Sequence, residues 1–204
     1  MSWYEDRVLP RLVEQTCGMK GMDKLRRAAC APLSGAVVEI GFGSGFNAPL
    51  YPDGVAAVTA IEPNDLAWQR ASGRVAAAAA PITRAGLDGQ RLDFPDNTFD
   101  SALSTFTLCT IPDLPAALAE LRRVVKPGGT FAFFEHGSAP DAKVQRMQHR
   151  LEPIQKRIAG GCHLTRDVRD VVTAAGWQIV DANSFYAKGP KSFGAFTMGH
   201  ARNT

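Results

Sequence analysis

Short apolar runs of strand length alternate along the chain with amphipathic stretches of helical length. β-Branched and aromatic residues crowd residues 36–40, 56–61, 101–106 and 130–135, which suits buried strands. Residues 66–79 and 114–125 between them have helical character, and the second stretch stops at Lys126-Pro127-Gly128-Gly129. Basic residues in a last turn, then proline and glycine, end helices well. The alternation predicts an α/β domain with a mostly parallel sheet and right-handed crossovers.

The two ends add to this frame. Val8, Leu9, Leu12 and Val13 stand at helical spacing, with Leu25 and Ala29 later and Pro10 and Gly18 interrupting. Two short helices covering the mouth of a site are expected there. Residues 143–158 place Val144, Met147, Leu151, Ile154 and Ile158 on one stripe, with Pro153 set to kink the helix. A helix over 167–175 stops at Gly176, and a strand starts over 177–182. A further strand at 193–198 is close enough for an antiparallel hairpin. The expectation is one domain over 1–204, with cap helices in 1–34, a cofactor-binding core in 35–136, and substrate-side helices with a C-terminal hairpin in 137–204.

Composition narrows the class. With 45% hydrophobic and 21% charged residues, the 204-residue chain can bury one sizeable core. A net charge of +3 is too small to argue for nucleic acid. No apolar run approaches the roughly 20 residues that span a bilayer, and the first residues lack the order of a secretory signal. The four cysteines, Cys17, Cys30, Cys109 and Cys162, contain no Cys-x-x-Cys pair, which fits reduced thiols in a cytoplasm. Basic residues gather at Arg122-Arg123-Lys126 and over 143–157, where a solvated helix face is the expected role.

The sharpest local signal is Val37-Val38-Glu39-Ile40-Gly41-Phe42-Gly43-Ser44-Gly45-Phe46-Asn47, a buried strand running into a glycine turn. Glycines let backbone approach a ligand closely, and the free amides of the following helix can face its polar groups. A dinucleotide fingerprint spaces its glycines G-x-G-x-x-G to seat a pyrophosphate. Here the third glycine comes one residue early, and Glu39 precedes the first by two. A carboxylate there repels pyrophosphate but attracts a cationic amino group or sulfonium. Glu62, in Ala60-Ile61-Glu62-Pro63-Asn64, falls where a ribose-binding acid is expected after the second strand. These features favour S-adenosylmethionine over NAD, and argue against a nicotinamide oxidoreductase.

Glu39 to Gly45 resembles the first motif of class I S-adenosylmethionine-dependent methyltransferases, and Glu62 matches their ribose acid. Leu92-Asp93-Phe94-Pro95-Asp96-Asn97-Thr98-Phe99-Asp100 and Leu121-Arg122-Arg123-Val124-Val125-Lys126-Pro127-Gly128-Gly129 are similar to two later motifs, the first with Asp93 in place of the usual proline. Asp88-Gly89 fall where that family holds adenine, although Gln90 follows them in place of the common pattern. The resemblance implies a Rossmann-like fold, with a seven-stranded, mostly parallel sheet and an antiparallel C-terminal strand. It implies that Glu39, Gly41, Gly43, Gly45, Asn47, Glu62, Pro63, Asp88, Gly89 and Thr105 surround S-adenosylmethionine.

The outer segments carry a second resemblance. Residues 104–113, Phe134-Glu135-His136-Gly137 and Gly161-Cys162-His163-Leu164-Thr165-Arg166 look like a subgroup of small bacterial methyltransferases and the animal alkyl-thiol methyltransferases of endoplasmic reticulum and lipid droplets. Those animal proteins carry an apolar N-terminal anchor not seen in this sequence. The likeness makes a small thiol the leading acceptor, with a lipid headgroup or other small nitrogen or oxygen nucleophile as the alternative. A non-catalytic cofactor-binding module is a third reading.

Methyl transfer from a sulfonium is an in-line displacement, so alignment does much of the work and a base is needed only where the acceptor carries a proton. Glu135, His136 and His163 are the candidate catalytic residues; each can instead pin a loop by hydrogen bonding. A cation such as His136 or Arg166 beside a thiol favours the reactive thiolate. Trp3, Tyr4, Met19, Met22, Tyr186 and Met198 can wall an apolar pocket or fill core. Cys162, His163 and His136 show no ligand spacing, and no metal is expected. The expected partner is a small-molecule acceptor, with peripheral lipid contact as an option, in a monomer or homodimer.

Overall fold

The computed structural model describes residues 18, 21–86 and 88–204. The expected first cap helix, with Trp3, Tyr4, Cys17 and Met19, lies outside them. The order is α1 (Met22–Cys30), β1 (Gly35–Ile40), a 3₁₀ turn (Ala48–Leu50), β2 (Val55–Ile61), α2 (Asp65–Ala76), β3 (Ile82–Arg84), β4 (Phe99–Thr105), α3 (Leu114–Val124), β5 (Val125–His136), α4 (Ala142–Ile158), α5 (Val168–Ala174), β6 (Trp177–Tyr186) and β7 (Ala195–Asn203).

The seven strands form one sheet in the order β3-β2-β1-β4-β5-β7-β6. Pairing is parallel from β3 to β5, and β7 runs antiparallel between β5 and β6. Side chains alternate across the sheet. Val38, Ile40, Phe131 and Phe133 pack with Leu118, Leu121 and Val172 of α3 and α5. Val37, Leu103, Ala132 and Phe134 face the other side, where Ala29 and Cys30 of α1 meet them. Asn64, Asp113 and Asp167 cap α2, α3 and α5 by accepting from N–H groups of the first turn.

The expected strands and the C-terminal hairpin are present, and α2 ends at Ala76, three residues before the expected stop. β3, a three-residue edge strand, is too short to leave a pattern. The apolar stripe on α4 reads differently in the structure. Met147, Ile154 and Ile158 face solvent at 46%, 60% and 55% exposure, and the one buried residue of the helix is Gln148. The inward side carries Gln145, Gln148 and Glu152 because two loops beneath it have backbone groups to satisfy. Gln148 accepts from the Ala139 N–H at 2.9 Å and donates to the carbonyls of Gly137 and Ser192. Gln145 donates to the Ala139 carbonyl, and Glu152 accepts from the Thr165 N–H. Unpaired buried amides cost more than an exposed isoleucine does, so hydrogen bonding sets the helix orientation.

Gln148→Leu should therefore lower the unfolding free energy by about 2–4 kcal/mol, from the backbone groups it strands. Ile154→Gln should change it by under about 0.5 kcal/mol. Denaturant titration of both variants checks this, and equal effects contradict the assigned orientation.

Candidate active site

Parallel strands bring their C-terminal ends to one edge, and several of the residues singled out in the sequence come together there. β1 ends beside β2 and β4, with Ile40 opposite Ile61 and Ser104, and Thr105 of β4 lies opposite Phe134 of β5. Glu39, Glu62, Thr105, Glu135 and His136 all come from these last positions and are all buried.

Glu39 is the centre of a polar network. Asn47 Nδ2 donates to Glu39 Oε1 at 2.8 Å and to Thr105 Oγ1 at 2.9 Å, and the Tyr51 hydroxyl donates to Glu39 Oε2. Arg26 of α1 donates from Nη1 to Asn47 Oδ1 and Thr105 Oγ1, with its guanidinium 4.7 Å from the centre of the Phe106 ring. Burial pushes the Glu39 carboxyl up to about 7, against the pull of its hydrogen bonds to Tyr51 and Asn47 and of Arg26. The Glu39 carboxyl is thus buried behind the turn, 1% exposed, with Asn47 between it and Thr105. Arg26 and Tyr51 have no motif of their own, and the sequence does not single them out.

The glycine turn and Glu62 form the wall beside it. Gly41 and Gly43 adopt φ of 68° and 58°. A Cβ at Gly41 runs into the Thr107 side chain, whereas one at Gly43 meets only the Gly41 carbonyl at 3.9 Å. The Gly43 side is therefore open. Gly45 packs closely instead, since a Cβ there lies 3.1 Å from Ala71 and Phe42. The Glu62 carboxylate accepts from the Gly43 N–H at 2.6 Å and the Asn64 N–H at 2.8 Å. Burial raises its pKa, and the two amides lower it. A carboxylate has about four acceptor positions, so two remain for a diol. Pro63 is exposed beside it. Gly89 lies against Ile40, and exposed Asp88 accepts from the Gln90 N–H and side chain.

On the other side, Glu135 is not free for catalysis. It is 0% exposed, and it accepts from Ser104 Oγ at 2.6 Å and from the Thr107 and Leu108 N–H groups at 2.8 and 3.0 Å. Those bonds hold the turn after β4, where Phe106 sits at φ 57°, a left-handed conformation that bulky residues rarely adopt. Glu135 is a loop anchor, the second of its two sequence readings. His163 likewise pairs with Glu152 at 3.2 Å, and Glu152 also receives Thr165. It pins the 159–165 loop to α4 and stands outside the group around His136.

His136 is 7% exposed, packs against Phe196, and has no hydrogen-bond partner at Nε2 among the described residues. Its Nδ1 lies 3.5 Å from the Cys162 sulfur. Cys109 completes this group, its ligand atom within 4.8 Å of the other two, although nothing in the sequence joins it to them. A hydrogen bond with Cys109, then His136, hold the Cys162 thiol below its ordinary value against burial. Arg166 stands beside them, donating to the Leu108 carbonyl.

Residues 38–133 match the model of a methyltransferase domain. The chain is 35% identical over 137 residues to thiol S-methyltransferase TMT1B of Rattus norvegicus, covering 64% of this chain and 55% of that protein. It is 32% identical over 123 residues to phosphatidylethanolamine N-methyltransferase of Cereibacter sphaeroides, covering 58% of this chain and 60% of that one. The chain thus spans little more than half the length of these relatives. The solved phosphoethanolamine N-methyltransferase 2 of Haemonchus contortus, in complex with S-adenosyl-L-methionine, shares the fold with a TM-score of 0.72 at 14% identity, covering 98% of this chain and 59% of that one. Among the described residues no helix is long and apolar enough to cross a membrane.

Burial also raises the Glu135 carboxyl to about 8, despite the pull of Ser104, Thr107 and Leu108. The folded protein then holds a proton that the unfolded chain has released. This contribution to stability is complete below the ordinary value of 4.5 and is lost as pH rises to about 8. Glu135→Gln can keep the same three contacts without titrating. Between pH 5 and 8 its unfolding free energy should fall less than that of the wild type, by roughly 2–4 kcal/mol. Parallel pH profiles in denaturant titrations refute the assignment.

Proposed function

We propose that this chain, which belongs to the class I S-adenosylmethionine-dependent methyltransferases, transfers a methyl group to the sulfur of a small apolar thiol. The observation that carries the cofactor assignment is the Glu62 carboxylate, held by Gly43 and Asn64 on the open side of the glycine turn. Residues 35–136 would hold the cofactor: Glu62 takes the ribose diol, Asp88 and Gly89 the adenine. The Gly41–Gly45 turn with Asn47, Thr105 and Pro63 shapes the rest, and the buried Glu39 favours the cationic end. Residues 137–204 complete the acceptor side.

S-adenosylmethionine supplies an activated methyl carbon: the acceptor sulfur lone pair forms the new carbon–sulfur bond as the sulfonium bond breaks, leaving two neutral thioethers and the thiol proton in solvent. The protein's task is to exclude water, align the sulfur and favour its thiolate. The Arg166 cation supplies positive charge beside Leu108 and Cys109. His136 orients the acceptor through Nε2, which has no hydrogen-bond partner among the described residues. Phe106 packs edge to face on Phe134 and Phe196, and the Phe196 ring lies against His136, which makes this side apolar. The thiol S-methyltransferase relative supports sulfur as the reacting atom.

One observation favours a second reading, a lipid headgroup. Exposed Met147, Ile154 and Ile158 on α4, with Phe193 nearby, stand among Lys143, Arg146, Arg150, Lys156 and Arg157. An apolar and basic helix face suits an anionic bilayer surface, and one relative acts on phosphatidylethanolamine.

Calorimetry should show saturable S-adenosylmethionine binding and none for NAD, with Glu62→Ala weakening it at least about 10-fold, or 1.4 kcal/mol. With cofactor present, short alkyl thiols should yield methyl thioethers, followed by mass spectrometry. Methylated lipid from phosphatidylethanolamine vesicles, without any thioether, would move the assignment to the second reading. Unaltered binding by Glu62→Ala would remove Glu62 from the site.

A further inference from the structure

Three buried ligand groups meet at the C-terminal end of the parallel strands. Cys109, His136 and Cys162 are 4%, 7% and 7% exposed, and their ligand atoms lie within 4.8 Å of one another. They come from three separate segments: the turn after β4, the last residue of β5, and the loop after α4. Each is held by contacts of the backbone or of neighbouring side chains. Glu135 fixes the first through the Thr107 and Leu108 N–H groups. The sheet fixes the second, with His136 opposite Phe196 of β7. The third is tied down by the His163 N–H on the Cys109 carbonyl at 2.9 Å and by Glu152 on Thr165. The group is thus assembled by the fold rather than by chance contact of mobile side chains.

We propose that Cys109, His136 and Cys162 bind one zinc ion, with the fourth position left to an exogenous thiol. Zn–S bonds of about 2.3 Å and Zn–N bonds of about 2.0 Å at a tetrahedral angle separate sulfur from nitrogen by roughly 3.5 Å. The Cys162 sulfur and His136 Nδ1 are already 3.5 Å apart. Two thiolates and an imidazole are soft enough to select zinc over magnesium or calcium, and three protein ligands are the pattern of catalytic rather than structural zinc. No other His, Cys, Asp or Glu among the described residues closes the set. With zinc on Nδ1, the His136 ring carries its proton on Nε2, which has no partner among the described residues and can then donate to an acceptor. A thiol taking the fourth position gives up its proton to solvent at neutral pH, since zinc coordination deprotonates thiols. This last role rests on the thiol reading above; the metal site does not.

The test uses the full chain, reduced and stripped with a chelator, and titrated with cobalt(II) as the probe and then with zinc. One equivalent of cobalt should give thiolate-to-metal charge-transfer bands and the intense visible bands of a tetrahedral site. One equivalent of zinc should bleach them. Cys109→Ser and Cys162→Ser should each weaken cobalt binding at least 10-fold while keeping S-adenosylmethionine affinity within 2-fold, which shows that they fold. A reduced wild-type protein that binds S-adenosylmethionine yet gives no charge-transfer band overturns the proposal, as do serine variants that bind cobalt normally. Adding an alkyl thiol to the cobalt form should shift the charge-transfer bands; no shift overturns the open fourth position. If the stripped protein methylates thiols as fast as the zinc form, the metal has no part in the reaction and the thiol reading stands. If cobalt binds as described and no form methylates any thiol, the metal site stands and the thiol reading falls.

Discussion

A carboxyl group sealed from water must find all its partners inside the protein, and Glu135 at the end of β5 finds them in the chain leaving β4. That constraint organises both halves of the site. Phe106 is held in a left-handed conformation that costs on the order of 1–3 kcal/mol. It persists because its own N–H donates to the Phe134 carbonyl while the next two N–H groups are gathered by one Glu135 carboxyl oxygen. The turn then places the Thr107 side chain against Gly41, the Phe106 ring against Arg26, and Cys109 near His136. The glycine turn on one side and the sulfur–imidazole group on the other share a single anchor.

The fold was legible where a signal is local. Apolar runs of strand length, a glycine turn directly after one of them, and an acid about twenty residues later each report on a few neighbouring positions, and the sheet follows from their order. Glu62 is where that spacing places it, beside Gly43. Residues whose roles come from tertiary meetings leave no such trace. Arg26 is one basic residue on a short helix until α1 docks beside Asn47 and Thr105. Cys109 stands 27 residues from His136 and 53 from Cys162, spacings that match no ligand motif. Glu135 admits both chemistry and anchoring in the sequence, because a strand-end acid reads the same in either role until its partners are known.

The α4 helix shows where periodicity misleads. A stripe of five apolar residues at helical spacing ordinarily marks the buried face. Here the helix lies over two loops rather than over apolar sheet, and loops present unpaired carbonyls and N–H groups. Gln145, Gln148 and Glu152 match that surface; Met147, Ile154 and Ile158 do not. The helix therefore keeps the 137–139 and 159–165 segments in place, and through the second of these it holds Cys162 near His136.

The same arrangement bears on the choice of acceptor. A sulfonium is already activated, so discrimination between nucleophiles falls to what surrounds the attacking atom. A lipid amine must be neutral to attack, and a site selecting it gains from a nearby base and suffers from a nearby cation. Glu135 offers no base, because all its contacts are directed at the turn and it is sealed from solvent. Arg166 brings positive charge within the field of Cys109 and Cys162. A thiol gains from both circumstances, since the cation favours the thiolate and the thiolate needs no base at the moment of attack. The exposed apolar and basic face of α4 suits either acceptor, because an apolar thiol partitions into lipid and a lipid carries its headgroup at the bilayer surface.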